Sequence, residues 1–279
     1  MMGFTARGRW LDLTTPAVMG IVNVTPDSFS DGGLFALPDQ AAAHARQLFE
    51  QGAAIIDVGG ESTRPHATPV SVDEQLSRVI PVIERIHQQL DVMISIDTSE
   101  PLVIEAAVRA GAHLVNDVRG LRRPGALEAV AFSGAGVCLM HMQGEPDSMQ
   151  QNPTYVDVVG EVIDYLAGRI EACLALGMDR KSLMIDPGFG FGKTLTHHEQ
   201  LFYRLGEFAT LDCPLLVGVS RKSMLGAWTG RPVTQRLYAG VAAAAIAVSR
   251  GAKIIRTHDV AATVDAVRVG AALRDPLEG

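Results

Sequence analysis

Short apolar runs rich in β-branched residues recur along the chain, and patterns with helical spacing separate them. Continuous apolar runs of this length are typical of strands buried on both faces, as in a parallel sheet. The pattern therefore predicts strands at residues 18–23, 54–58, 92–97, 113–117, 137–141, 183–186, 215–220 and 254–258.

The segments between these runs carry helix signals. Apolar residues recur at steps of three and four between residues 155 and 177, which predicts a helix that stops near Gly177. Ser71 and Glu74 form a capping box, and Pro81 should kink the following helix or delay its start. Further N-caps are predicted at Ser99, Thr234 and Asp259, and further helix stops at Gly111 and Gly251.

This alternation of strands and helices predicts an α/β fold. Eight strand–helix units fit a single (β/α)8 TIM barrel, which needs about 250 residues, and a doubly wound open sheet is the alternative. The sequence shows no internal repeat, low-complexity tract or linker. We therefore expect one domain over residues 1–279, with its core between about residues 17 and 275.

Composition narrows the possible partners. A net charge of −7 argues against nucleic acid and against a membrane surface, because phosphate-rich partners need basic faces. The apolar stretch 240–249 is too short to span a bilayer, and the N-terminus has no apolar run typical of a signal peptide. Cys138, Cys173 and Cys213 are scattered without a CxxC spacing, which favours a reducing compartment. We expect a cytoplasmic protein.

Polar residues stand at the end of each predicted strand. They are Asn23, Asp57, Asp97, Asn116 with Asp117, His141, Asp186, Ser220, and Arg256 with His258. Burying such groups without partners would cost several kcal/mol each. In a parallel barrel the strand C-termini meet on one face, where barrel enzymes place their chemistry. The pattern therefore predicts a site for a polar ligand at that face.

Some of these residues have equally plausible structural roles. Asp57 and Asp117 could instead hold neighbouring loops by accepting backbone N–H groups. His141 is interpreted as a structural histidine. His197 and His198 open a helix and are expected on the solvated surface.

The stretch DPGFGFGK, residues 186–193, looks like a phosphate-binding loop but has the wrong spacing. A Walker A loop would need a glycine where Pro187 stands, and a dinucleotide-binding turn would need one at Lys193. Asp186 would also repel a phosphate above the strand end. A nucleotide-binding loop is therefore excluded here.

Two connections, residues 25–39 and 60–71, are long, polar and without periodicity. Long loops of this kind in a compact domain are often lids over a site. Phe29 and Arg64 stand in them, and we interpret both loops as lids.

Eight stretches between residues 20 and 260 contain these features, namely GIVNVTPDSFSDGG, IIDVGGESTRP, SIDTS, HLVNDVRGL, CLMHMQG, DPGFGFGK, LLVGVSRKSM and IIRTHDV. Together they resemble the dihydropteroate synthases of the pterin-binding family, which join a pterin pyrophosphate to p-aminobenzoate in folate biosynthesis. The resemblance implies a transferase with a (β/α)8 barrel, two small-molecule substrates, Mg2+ and a homodimer.

The resemblance also implies residue roles. The pterin-binding residues would be Asp97, Asn116, Met140, Asp186 and Lys222. The pyrophosphate would be held by Asn23, Thr63, Arg256 and His258, with Asn23 also binding Mg2+. The aminobenzoate side would be lined by Thr63, Arg64, Pro65, Gly190, Phe191, Ser220 and Lys222. Phe29 and Asp31 would belong to the lid, and Asp97, Asp186, Lys222 and Arg256 would carry catalysis.

The ring of carboxylates beside the heterocycle favours loss of pyrophosphate before attack by the amine, because it would stabilise a pterin cation. Two alternatives remain. A corrinoid-dependent methyltransferase of the same family would keep the pterin site but would not need STRP, SRKS and RTHDV. A pterin-binding paralogue without turnover would keep the same residues.

Overall fold

A short hairpin precedes the strands that the sequence predicts. The computed structural model describes residues 3–25, 37–61, 70–145 and 148–273, and its first elements are the antiparallel strands β1 (Gly3–Ala6) and β2 (Arg9–Asp12). Arg7 and Gly8 form the connecting turn with positive φ angles of 48° and 76°, as two-residue hairpin turns require. The hairpin was not predicted, because its alternation extends over only four residues per strand.

The remaining strands form one parallel sheet that closes on itself. They are β3 (Ala17–Asn23), β4 (Ile55–Gly59), β5 (Met93–Asp97), β6 (Leu114–Asp117), β7 (Gly136–Met140), β8 (Leu183–Asp186), β9 (Leu216–Gly218) and β10 (Ile254–Thr257). Each strand from β3 to β8 pairs with the next, β10 pairs with both β3 and β9, and a parallel bridge between Ile185 and Leu215 joins β8 to the start of β9. The predicted (β/α)8 barrel is confirmed, and the doubly wound alternative is wrong.

Helices connect and cover the strands. They are α1 (Leu37–Glu50), α2 (Val72–Gln89), α3 (Pro101–Ala110), α4 (Ala126–Ser133), α5 (Val158–Ala175), α6 (Leu195–Tyr203), α7 (Ser223–Thr229), α8 (Leu237–Ser249) and α9 (Val260–Ala272). The described residues include no helix that is both long and apolar enough to cross a membrane.

The predicted start of α2 is confirmed. The Ser71 hydroxyl accepts the backbone N–H of Glu74 at 3.2 Å, and the helix begins at Val72 and continues through Pro81. The proline therefore does not delay the start of the helix.

Two predicted N-caps are wrong. Helix α3 begins at Pro101 after Glu100, since the fixed φ of proline suits the first helical position, and Ser99 donates to Asp117 instead. Thr234 lies in a short 3-10 helix, Val233–Gln235, before α8.

The barrel interior changes from hydrocarbon to charge along the strand direction. The N-terminal layer is apolar and consists of Met19, Ile55, Met93, Leu114, Cys138, Met184, Leu216 and Ile254. Side chains alternate along a strand, so the residues two positions later face the same side. Those positions include Asp57, Asn116, Asp186 and Arg256, which places the polar strand ends around one space.

Candidate active site

Arg256 connects two carboxylates from neighbouring strands. Its Nε donates to Asp57 Oδ2 at 2.6 Å and its Nη2 donates to Asp97 Oδ2 at 2.7 Å. Asp57 is completely buried and Asp97 retains 12% side-chain exposure. The neighbouring negative charges raise the pKa of the Arg256 guanidinium against the effect of burial. The arginine therefore remains charged and fixes both carboxylates.

Asp57 also orients Asn116. The Asn116 Nδ2 group donates to Asp57 Oδ2 at 3.1 Å, and both residues are buried. Because one amide N–H is used in this bond, the Asn116 side chain has a fixed orientation. The buried Asp57 carboxylate therefore positions two predicted site residues, Asn116 and Arg256.

Asp97 stands in an environment that disfavours its charge. Burial raises the pKa of its carboxyl to about 7, and the Coulombic effect of Arg256 opposes that rise. Asp117, by contrast, accepts backbone N–H groups from Arg119 at 2.8 Å and Leu121 at 2.7 Å. Asp117 thus holds its own loop, which is the structural role that the sequence left open.

Asp186 and Lys222 form the other side of the polar end. The Asp186 Oδ1 atom accepts the backbone N–H of Gly188 at 2.7 Å, which holds the carboxylate in place. Burial raises the pKa of Asp186, and Lys222 opposes this effect. Burial lowers the pKa of Lys222 to about 8, and Asp186 opposes that shift. The two groups therefore stabilise each other's charged form.

The glycine-rich turn after Asp186 supports Lys222. The Lys222 ammonium donates to the Phe189 carbonyl and lies 4.8 Å from the centre of the Phe191 ring. Gly190 has a φ of 84°, and a Cβ atom there would lie 3.2 Å from Lys222 Cδ. A side chain at Gly190 would therefore press on the lysine as well as strain the turn.

A buried lysine that the sequence did not assign holds this turn. Lys193 Nζ lies 2.9 Å from His141 Nδ1 and donates to the carbonyls of Gly188 and Phe191, each at 3.1 Å. Burial lowers the pKa of Lys193 to about 7 and that of His141 to about 2. His141 thus has the structural role that was predicted for it. The sequence shows a lysine at the end of DPGFGFGK but does not predict its burial, because the carbonyl groups that accept its hydrogen bonds come together only in the folded turn.

His198 was wrongly placed on the surface. It is buried, and its Nε2 accepts the backbone N–H of Gly190 at 2.9 Å. Burial lowers the pKa of His198 to about 3, so the ring is neutral and can accept this bond. His197, one residue earlier, completes the capping box of α6 with Thr194.

The remaining predicted residues lie around the same end. Met140 and Phe191 pack in a small apolar cluster with Val118, Met142 and Met149. Ser220 and His258, which follow β9 and β10, contact each other through Oγ and Nδ1 at 3.0 Å. The other predicted site residues, Phe29, Asp31, Thr63, Arg64 and Pro65, lie outside the described residues.

Two inward-facing glycines leave space between the polar side chains. A Cβ atom at Gly59 would lie 3.8 Å from Asp97 Oδ2 and 3.9 Å from Asn23 Oδ1. One at Gly218 would lie 3.6 Å from Arg256 Cβ and 4.0 Å from Asp186 Oδ2. The missing side chains thus open the space between the groups predicted to bind a ligand.

A groove of about 380 Å³ lies at the opposite end of the barrel, near the hairpin. Its lining includes Arg9, Trp10, Phe49 and Asp91. None of the polar strand ends contributes to it, so it is separate from the site described above.

Comparison with known proteins identifies the family. A family model described as pterin binding enzyme matches residues 19–258. A dihydropteroate synthase of Escherichia coli K12 is 53% identical over 268 residues, which cover 96% of this chain and 95% of the relative. The crystal structure of the Yersinia pestis dihydropteroate synthase with a sulfonamide drug complex has a TM-score of 0.93 at 52% identity, covering 98% of this chain and 99% of that one.

A dihydropteroate synthase from Xanthomonas albilineans in complex with 7,8-dihydropteroate is also similar. Its TM-score is 0.89 at 48% identity, with 98% of each chain covered. The chain therefore belongs to the pterin-binding enzyme family, and within it to the dihydropteroate synthases.

Proposed function

We propose that the chain catalyses the dihydropteroate synthase reaction, in which a dihydropterin pyrophosphate and p-aminobenzoate give 7,8-dihydropteroate and pyrophosphate. The observation that carries this proposal is the convergence of Asp97, Asn116, Asp186, Lys222 and Arg256 at one end of a barrel of this family. Relatives whose similarity covers 96% of this chain are named dihydropteroate synthase.

The pterin ring lies between the two carboxylates. Asp186 takes N–H groups of the aminopyrimidine edge, since a carboxylate can accept two parallel bonds. Asn116 donates and accepts beside Asp186, Asp97 accepts a ring N–H, and Lys222 donates to the ring carbonyl and a ring nitrogen. Gly218 places no side chain between Arg256 and Asp186, and we place the ring beside it.

The diphosphate lies at the end of β10, against Arg256 and His258. Helix α9 begins at Val260, directly after them, and its N-terminus adds partial positive charge. Phosphate sites in barrels of this kind are frequently formed by the loops after the seventh and eighth strands. Here these loops follow β9 and β10.

In the reaction, the bond between the pterin methylene carbon and the diphosphate oxygen breaks, and both electrons leave with the diphosphate. The arylamine nitrogen then bonds to the methylene carbon and releases a proton. Asp97 and Asp186 stabilise the positive charge that develops on the pterin, which favours departure of the diphosphate before amine attack. An arylamine is already a nucleophile, so no strong general base is assigned.

The arylamine approaches from the side of the glycine-rich turn. Phe191 and Gly190 form the wall between the two substrates, and Lys222 lies against both. We include Thr63, Arg64 and Pro65 on this side because of the family resemblance, and Phe29 and Asp31 as part of a lid. The resemblance also implies Ser220 here, but the contacts of its hydroxyl lead to His258 instead.

Magnesium fits this arrangement. The amide oxygen of Asn23 lies near Asp97 at the space beside Gly59, and hard oxygens are the ligands that Mg2+ prefers. Among the described residues no group of three His, Cys, Asp or Glu side chains could hold a metal, so substrate oxygens and water would complete the coordination. The ion would neutralise charge on the leaving diphosphate.

We further propose that the protein forms a homodimer through α7, α8 and α9. These helices expose large apolar side chains, namely Trp228, Tyr238, Ile246 and Val269, and Leu273 directly after α9 is also exposed. Exposed apolar side chains that cluster on neighbouring elements are typical of interaction surfaces. The cytoplasm is the proposed location, because three free cysteines fit a reducing compartment.

The decisive experiment supplies the purified protein with dihydropterin pyrophosphate, p-aminobenzoate and Mg2+. We expect pyrophosphate and dihydropteroate to form in equal amounts, and the Lys222→Ala variant to lose at least 100-fold in kcat/KM. Pyrophosphate release without the arylamine supports its departure before amine attack. Tight pterin binding without any product would refute the catalytic proposal and leave a binding protein.

A further inference from the structure

The hydroxyl of Ser220 belongs to a hydrogen-bonded cluster beyond the ends of β9 and β10. The two strands pair with Gly218 opposite Arg256, so Ser220 and His258 stand side by side two residues later. Ser220 Oγ accepts the backbone N–H of His258 at 3.2 Å and lies 3.0 Å from His258 Nδ1. The same serine therefore contacts both the backbone and the ring of His258.

Two buried threonines continue the cluster behind Ser220. Thr257 Oγ1 lies 3.4 Å from Ser220 Oγ and accepts the backbone N–H of Asp259 at 3.1 Å. Thr263 Oγ1 lies 3.1 Å from Thr257 Oγ1 and donates to the Asp259 carbonyl at 2.8 Å. Thr257 and Thr263 are 4% and 3% exposed, which keeps the cluster closed to water from behind.

The single proton of Ser220 is used inside this cluster. A hydroxyl donates only one hydrogen bond. Thr257 Oγ1 donates to Ser220 Oγ at 3.4 Å. When the His258 proton is on Nε2, where it can face a diphosphate, Nδ1 is the acceptor for the Ser220 proton. In this tautomer the Ser220 proton points to the His258 ring. The carboxylate of an arylamine accepts hydrogen bonds and cannot donate them, so it could bind this hydroxyl only by breaking an existing bond.

We propose that Ser220 is a positioning residue for His258 and acts on the diphosphate side of the site, rather than as a donor to the arylamine carboxylate. This inference rests on the proposed function, which places the diphosphate at Arg256 and His258. The contact through Nδ1 fixes the plane of the His258 ring before the substrate arrives. A ring that is already ordered loses less conformational freedom on binding. Removing one hydrogen bond that orients a side chain typically costs about two- to tenfold in affinity.

The test separates the two sides of the site by steady-state kinetics. For Ser220→Ala we expect the inhibition constant of product pyrophosphate to rise about five- to tenfold, while the KM of p-aminobenzoate stays within about twofold. Ser220→Thr keeps the hydroxyl and should restore the pyrophosphate constant. Ser77→Ala is the matched control, since its exposed hydroxyl bonds only a carbonyl of its own helix.

Either of two results would overturn the inference: a tenfold rise in the arylamine KM for Ser220→Ala, or no change in the pyrophosphate constant. A second measurement needs no variant. In the wild-type protein labelled with 15N-histidine, pyrophosphate should shift the ring nitrogens of His258, and p-aminobenzoate alone should leave them unchanged. The reverse pattern refutes the role of Ser220, whereas failure of the proposed function would appear as absence of turnover in the wild-type protein itself.

Discussion

Replacing Asp97 by Asn removes one negative charge from the candidate site and preserves the side-chain size. In the folded protein, Asp97 Oδ2 accepts Arg256 Nη2 at 2.7 Å, and the side chain retains 12% exposure to the ligand space. An asparagine keeps one acceptor oxygen but presents an amide instead of a carboxylate. Arg256 keeps its second partner, Asp57, so the arginine is not left without a counter-charge.

The expected effect on activity follows from the loss of a charged acceptor at the reacting heterocycle. Removing one group that stabilises transition-state charge typically costs about 2.7–4 kcal/mol, which is about 10²- to 10³-fold in rate. We therefore expect kcat/KM of Asp97→Asn to fall at least 100-fold.

The expected effect on stability has the opposite sign. Burial raises the pKa of Asp97 to about 7 in the folded state, against an ordinary value of 3.8 for an aspartate in an unfolded chain. Between these two pH values the folded state binds more protons than the unfolded state, so the contribution of Asp97 to stability falls as the pH rises towards 7. Because asparagine does not titrate, the variant should be at least as stable as wild type at pH 8.

The assay is pyrophosphate release with both substrates, together with thermal melting at pH 6 and pH 8. Asp164→Asn is the matched control, since Asp164 is an exposed residue of α5. Wild-type kcat/KM should decrease below about pH 7 as Asp97 gains a proton, and the variant should lack this acid limb. Turnover of Asp97→Asn within threefold of wild type, or a lost activity explained by a lowered melting temperature, would refute the reasoning.

Further substitutions test the glycine-rich turn after Asp186 and the exposed apolar surface of α7, α8 and α9. Lys193→Met should weaken activity. Burial lowers the pKa of Lys193 from 10.5 to about 7, so between these pH values the unfolded state binds more protons than the folded state. The stability of wild type relative to this variant, measured by thermal melting, should therefore increase between about pH 7 and 10.5. Gly188→Ala should strongly destabilise the protein, since a Cβ atom there would lie 1.9 Å from the His141 carbonyl oxygen at a φ of 72°. Gly168→Ala in α5 is the control, and its free energy of unfolding, measured with denaturant, should increase by about 0.5–1 kcal/mol. Tyr238→Lys should shift the protein towards monomer in sedimentation, while Phe132→Lys on α4, an equally exposed aromatic, should not.

The strands could be predicted because burial on both faces leaves a direct trace in the sequence. Each observed barrel strand begins within one residue of its prediction, and β9 ends at Gly218 rather than at residue 220. The charged strand ends could be predicted for the same reason, since a polar residue after a buried run needs a partner or a ligand. The hairpin at the N-terminus was missed because four-residue alternation is too weak a signal.

Residues that act through the backbone of a turn were harder to predict. Lys193 and His198 are defined by contacts with the carbonyl and N–H groups of Gly188, Phe191 and Gly190. Those groups come together only after the turn has formed. A lysine after three glycines and a histidine at the start of a helix therefore look exposed in the sequence, although both are buried.

Asp57 shows that the structural and functional interpretations of a residue need not exclude each other. It is fully buried, and it binds Asn116 and Arg256. Without ligand, Arg256 serves as the counter-charge of Asp57 and Asp97. In the proposed function, a dihydropterin diphosphate would offer N–H donors to Asp97 while its anionic end approaches Arg256. We expect Asp57 to keep its bond to Arg256 during this exchange, so that the arginine keeps one buried counter-charge and no buried charge is left unpaired.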